Sequence, residues 1–127
     1  MAEKGEAPQE RLTEELLERL LAAQSPEAYL DQVVTLSPDY AEGWNRRATL
    51  HYAMENYAKS MADIGRTLDL EPRHFGALGG MAAILRDAGR KEAAMRAYER
   101  LLEVYPMMRN AQTELGKLAD EMAGQGI

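Results

Sequence analysis

The chain has 127 residues, no cysteine and a formal net charge of -6 at pH 7. Without cysteine there can be no disulfide and no thiolate metal site, and the negative charge disfavours binding to nucleic acid or to anionic membranes. The first ten residues are polar and acidic, and no segment is apolar over a membrane-spanning length, so we expect a cytoplasmic location unless a leader has been removed.

The N-terminal third predicts a short helical hairpin behind a disordered tail. Residues 1–9 are polar and are expected to be disordered. Leucines then recur at helical spacing, at positions 12, 16, 17, 20 and 21. Ser25-Pro26 predicts the start of a second helix, because serine caps helices and proline fits their first position. Pro38 predicts its end, so residues 10–40 form a degenerate first hairpin.

The middle of the chain repeats with a period of 34 residues, set by Pro38, Pro72 and Pro106. This period is typical of stacked helix-turn-helix units. It defines one unit at residues 41–74 and another at residues 75–108. In the first unit, helices are predicted over 42–54 and 57–70 with a turn at Glu55-Asn56. In the second, Gly89 predicts the turn, because glycine adopts a left-handed conformation without cost.

The C-terminal segment predicts one capping helix over residues 109–122, followed by a frayed end, within a terminal region of residues 109–127. Its apolar residues recur at helical spacing, at Ala111, Leu115, Leu118 and Met122. A terminal helix of this kind covers the apolar edge that the last unit of a stack would expose. The sequence therefore predicts an all-α fold of about seven helices, stacked antiparallel.

Small and bulky residues alternate within each unit in a pattern that resembles the tetratricopeptide repeat (TPR), in the style of small bacterial proteins. Small residues are expected where paired helices cross, and bulky ones in the flanking spaces. The matching positions are Trp44, Ala48, Ser60, Ile64 and Pro72 in one unit, and Leu78, Ala82, Ala94, Tyr98 and Pro106 in the next. Arg47 and His51 depart from the pattern and are expected to face a neighbouring helix or water. The resemblance implies a short right-handed superhelix.

The resemblance also implies a function: a non-catalytic scaffold that binds a peptide or helix of another protein in its concave groove. The first helix of each unit would line that groove, as a smooth channel bounded by Arg46 and Arg86, which could pair with a carboxylate. The implied contact residues are Glu42, Asn45, Arg46, Thr49, Tyr52, Ala53, Gly76, Gly79, Gly80, Ala83, Arg86 and Asp87. Gly76 and Gly80 stand where carboxylate-clamp repeats carry basic residues, so binding of chaperone C-termini is not expected.

Catalytic, cofactor and metal sites are not predicted. His51 and Glu55 lie one helical turn apart but lack a third ligand. His74 is expected at a helix start on the surface, without a nucleophile nearby. Gly76, Gly79 and Gly80 lack the strand and the Gly-Lys-Ser/Thr sequence of a phosphate loop, and they suggest instead the close approach of another backbone.

The alternative to partner binding is self-association as a homodimer or larger homo-oligomer, in which exposed repeat edges or the N-terminal leucine stripe pair between chains.

Overall fold

The structure, a computed structural model, describes residues 14, 15, 18, 19 and 25–125. Residues 25–125 form six α-helices and no strand. They are α1 (Pro26–Leu36), α2 (Ala41–Ala53), α3 (Tyr57–Leu70), α4 (Phe75–Asp87), α5 (Lys91–Val104) and α6 (Arg109–Gln125). Each helix packs against the next, so neighbouring helices run antiparallel. The predicted all-α repeat fold is confirmed, while most of the predicted leucine-rich helix lies outside the described residues.

Local chemistry sets the helix boundaries much as the sequence predicts. The Ser25 hydroxyl accepts a hydrogen bond from the backbone N–H of Ala28 at 3.1 Å, with Pro26 at the first helical position. The turn after α2 contains Glu55, which has φ of 60°, and the turn after α4 contains the repeat-equivalent Gly89, which has φ of 77°. The left-handed turn predicted at Gly89 is confirmed. Its counterpart uses a glutamate, for which this conformation is unfavourable.

The core lies between the helices of each pair and against the following helix. Ala82 and Ala94 are fully buried, which fits a close helix crossing. At the equivalent crossing in the preceding unit, the Ser60 hydroxyl donates a hydrogen bond of 2.6 Å to the carbonyl of Ala48. The predicted small-residue crossings are therefore confirmed.

Trp44 differs from its expected role as a core-filling residue. Its indole is only partly buried, and its Nε1–H donates to the carbonyl of Pro38 at 2.8 Å. The guanidinium groups of Arg47 and Arg66 lie 5.2 Å and 4.9 Å from the ring centroid. The Pro38 carbonyl and the two guanidinium groups therefore fix the position of the indole, and Trp44 connects α2 to the turn that contains Pro38.

The last helix covers the end of the stack. Ala111 and Leu118 are buried against Leu78, Ala82 and Leu101, so α6 closes the apolar edge of the second unit, as expected of a capping helix. It continues three residues beyond the predicted end, to Gln125. None of the helices in the described part of the chain combines the length and apolar character needed to cross a membrane.

Candidate partner-binding groove

A groove of about 600 Å³ opens between α1 and α2. Five residues on the α2 side belong to the contact set expected from the sequence: Glu42, Asn45, Arg46, Thr49 and Ala53. Each of them lies three or four residues from another member of the set, so they share one side of the helix. The remaining lining residues are Leu50 and, from α1, Pro26, Tyr29 and Leu30.

The α1 side of the groove was missed by the sequence analysis. Tyr29 and Leu30 fit the apolar face of a packed helix, and periodicity alone assigns such residues to the core. The structure instead leaves Tyr29 53% exposed, with the ring at the groove. An exposed tyrosine beside an aliphatic surface is a common component of protein-binding sites.

A smaller hollow of about 110 Å³ continues from Asn45 and Thr49 toward α4, where Gly76 and Gly80 contribute to its lining. A Cβ on Gly76 would lie 2.9 Å from the Asn45 Nδ2 atom, and one on Gly80 would lie 3.3 Å from the Ile64 Cδ1 atom. These glycines therefore allow a close approach, but of side chains and not of a backbone as predicted. Because glycine has no side chain, nothing projects into the hollow from these two positions of α4.

The rest of the predicted contact set lies outside these two hollows. Gly79 faces α5, since a Cβ there would lie 3.7 Å from the Leu101 side chain. Ala83 is half-buried and lines neither hollow. Eight of the twelve predicted contact residues thus come together: Glu42, Asn45, Arg46, Thr49, Tyr52, Ala53, Gly76 and Gly80.

Arg86 is held in an internal polar network and not poised over a channel. Its guanidinium lies 3.0 Å from carboxylate oxygens of both Asp87 and Glu114, and it donates to the Tyr98 hydroxyl at 3.2 Å. Burial disfavours its charge, but the hydrogen bond to Asp87 and the nearby Tyr98 and Glu114 outweigh this and raise the pKa of Arg86. A ligand carboxylate would have to displace two resident carboxylates.

The same network fixes α2 against α4. The Tyr52 hydroxyl donates to the Asp87 carboxylate at 2.6 Å. This hydrogen bond raises the pKa of Tyr52 and, despite partial burial, lowers the pKa of Asp87, to which Arg86 also contributes. Tyr52 and Asp87, which the sequence placed among possible contacts, therefore stabilise the packing of the two units.

Arg46 remains the exposed cation of the groove rim. Its side chain is 68% exposed and lies 3.4 Å from the Glu42 carboxylate. Glu42 also pairs with the His74 Nε2 atom at 2.9 Å, while His74 Nδ1 accepts from the N–H of Ala77 and caps α4. His74 does begin a helix as predicted, but its side chain is only 11% exposed. The rim carries both signs of charge.

The opposite side of α2 is a structural ion-pair site. Arg47 donates two hydrogen bonds to Asp63, of 2.8 Å and 2.9 Å, and one of 3.0 Å to Asp31. The hydrogen bond to Asp63 is the main cause of the raised pKa of Arg47 and outweighs partial burial. His51 is buried beside Asp63, with Nδ1 unpartnered. Arg47 and His51 thus face neighbouring helices, one of the two placements expected for them.

No group of three or more His, Asp or Glu side chains that could hold a metal ion occurs among the described residues.

Comparisons with known proteins place these helices in a family. The Tetratricopeptide repeat profile matches residues 76–106. A TPR repeat-containing protein of Rhizobium etli is 54% identical over 96 residues, which are 76% of this chain and 47% of that protein. The chain thus spans about half the length of this curated relative.

A solved structure shares the fold. It is the first TPR of Spaghetti (RPAP3) bound to the HSP90 peptide SRMEEVD, with a TM-score of 0.71 and 20% sequence identity. The match covers 84% of this chain and 89% of that one. The two sequence matches and the 34-residue repeat identify the chain as a tetratricopeptide-repeat protein.

Proposed function

We propose that this domain is a non-catalytic protein-interaction module that binds a peptide segment or helix of a partner protein in the groove between α1 and α2. The observation that carries the proposal is the groove itself: Tyr29, Leu30 and Leu50 provide an apolar surface beside exposed Thr49 and half-buried Asn45. Its volume of about 600 Å³ lies within the usual range of ligand pockets, roughly 300–1,000 Å³.

The chemistry of the groove favours an apolar anchor. Glu42 and Arg46 offset each other at the rim, and Arg86 is paired internally, so little net charge is available to attract a charged group. Gly76 and Gly80 add no cation to the adjoining hollow. The proposed ligand is therefore a segment that inserts one or more large apolar side chains, not a terminal carboxylate.

Asn45 is suited to recognise the backbone of such a segment. Its side chain lies between the groove and the smaller hollow. An amide both donates and accepts hydrogen bonds, so it can pair with a peptide group of the ligand. The Thr49 hydroxyl already donates to the backbone carbonyl of Asn45 at 3.0 Å. The methyl group of Thr49 therefore remains for apolar contact with the ligand.

Site-specific photo-crosslinking tests the proposal. A benzophenone amino acid would replace Thr49 or Ala53 in the groove, and Gly65 would serve as the control, because it is exposed on α3 and a Cβ at that position would meet no atom within 4 Å. We expect a partner protein to be crosslinked in the producing cells from both groove positions and not from the control.

The mass of the crosslinked peptide distinguishes the possible occupants. A peptide of a different protein supports the proposal. A peptide from residues 10–24 in a product with the mass of one chain would show that the chain fills its own groove, and a peptide of this chain in a product with the mass of two chains would show self-association there. Equal capture from Gly65 would also contradict the groove assignment.

A further inference from the structure

A strip of exposed apolar side chains follows the turns that contain Pro38, Pro72 and Pro106. Because neighbouring helices run antiparallel, these three turns lie at the same edge of the stack, here called the proline-turn edge. Of the nine exposed large apolar residues in the described part of the chain, six belong to this edge by their position in or beside the turns: Leu36 (74% exposed), Tyr40 (52%), Leu70 (40%), Phe75 (49%), Tyr105 (45%) and Met107 (85%).

Contacts connect each turn to the next. The Phe75 and Tyr105 rings meet edge to face, with centroids 5.0 Å apart, and so connect the second turn to the third. The His74–Glu42 hydrogen bond of 2.9 Å connects the second turn to the start of α2 after the first. Tyr105 and Met107 also border an apolar hollow of about 390 Å³ at the third turn.

Charged residues are ordered along this edge in a self-complementary way. Asp39 lies on the first turn, Glu71 and Arg73 lie on the second, and Arg109 follows the third. All four are exposed, and none takes part in an ion pair with another described residue. Along the edge the charge therefore changes from negative at the first turn, through both signs at the second turn, to positive at the third turn. A second copy placed antiparallel would present the opposite order.

We propose that the proline-turn edge is a homodimer interface in which two copies pair antiparallel around a twofold axis near Pro72. In this arrangement Asp39 faces Arg109 of the second copy, and Glu71 faces Arg73 of the second copy. A twofold interface must be self-complementary in this manner, since each contact occurs twice. The apolar residues of the outer turns then meet each other, and Phe75 lies near the axis.

The available area fits a weak, reversible dimer. With about 200 Å² for each full side chain, the six apolar residues offer on the order of 700 Å² per copy. This is close to the lower limit for specific interfaces, which bury roughly 1,200 Å² in total. None of these apolar residues lines the groove between α1 and α2, so this proposal stands apart from partner binding.

Sedimentation equilibrium of the full chain, from about 1 µM to 1 mM, tests the proposal because weak interfaces dissociate within that range. Wild-type protein is expected to pass from monomer to dimer. Met107→Glu is expected to weaken the dimer by about tenfold or more, because it places a carboxylate in each of the two outer apolar contacts. Met54→Glu is the matched control, since Met54 is also exposed but lies at the opposite edge.

Charge exchange tests the antiparallel pairing. Asp39→Arg or Arg109→Asp alone should weaken the dimer several-fold, since each change converts two attractions into repulsions. The combined Asp39→Arg/Arg109→Asp variant should restore it. Circular dichroism would verify that each variant is folded.

Several outcomes would overturn the proposal. They are a monomer at every concentration, a dimer that Met107→Glu leaves intact, or a double variant that is no better than either single change. A dimer that depends on the N-terminal leucines, and is lost in Leu12→Glu/Leu16→Glu, would also overturn it.

Discussion

Removal of Arg47 should destabilise the domain more than removal of any exposed arginine. Arg47 is the main partner of Asp63, whose side chain is only 5% exposed, so Arg47→Ala leaves a buried carboxylate without its counter-charge. Such losses cost about 3–5 kcal/mol. We expect the low end, about 3 kcal/mol, because Arg47 borders a cleft of about 280 Å³ that admits water.

The reverse change should cost less. Asp63→Ala leaves Arg47 with Asp31 at 3.0 Å and with a side chain that is already 22% exposed. The combined variant Arg47→Met/Asp63→Leu should recover most of the lost stability, because apolar residues can replace a buried ion pair without leaving a buried charge unpaired.

Thermal and urea unfolding, followed by circular dichroism, measure these effects. For a domain of this size, about 3 kcal/mol corresponds to a fall in Tm of roughly 10–15 °C. Arg100→Ala is the control, since Arg100 forms an exposed pair with Glu103 that should contribute less than about 1 kcal/mol. The reasoning is refuted if Arg47→Ala costs no more than this control, or if the double variant is as unstable as Arg47→Ala.

Three further predictions concern the helix interiors and the polar network. Gly65→Ala should raise the free energy of unfolding by about 0.8–1 kcal/mol, since a Cβ there meets nothing within 4 Å. Gly89→Ala should lower the free energy of unfolding, because Gly89 has a φ of 77° that alanine adopts only at a cost. Urea unfolding measures both changes. Tyr52→Phe should move the pKa of Asp87 up toward its usual 3.8, measured by NMR titration; an unchanged pKa would contradict the assigned hydrogen bond. Burial is the main cause of the raised pKa of Tyr98, which lies above its usual 10. The neutral Tyr98 side chain therefore contributes fully to stability below pH 10, and this contribution declines as the pH rises further. Tyr98→Phe should flatten the alkaline decline in Tm.

The fold could be predicted because its determinants are local and repeated. Prolines at a fixed spacing end alternate helices, and small residues such as Ala48 and Ala82 mark where helices cross. The α2 side of the groove could be predicted for the same reason, since Asn45 and Thr49 share one side of a single helix.

The remaining features depend on contacts between helices, which periodicity cannot show. Arg47 and Arg46 are neighbours in sequence, yet the first is enclosed by Asp31 and Asp63 while the second is exposed. Arg86 was expected at the channel because the carboxylate of Glu114, 28 residues away, could not be placed beside it from sequence. Tyr29 was not predicted to border the groove because an apolar helix position gives no indication of which neighbour covers it.

The most direct test of the proposed function is the affinity of the crosslinked partner segment for groove-filled and control variants. Ala53→Trp would fill the groove, while Ala62→Trp would place the same side chain in the cleft on the other side of α2. Isothermal titration calorimetry should show that Ala53→Trp weakens binding by about tenfold or more, or about 1.4 kcal/mol, and that Ala62→Trp leaves it unchanged. Equal affinity for all three proteins, or a loss confined to Ala62→Trp, would contradict the assignment of the groove as the binding site.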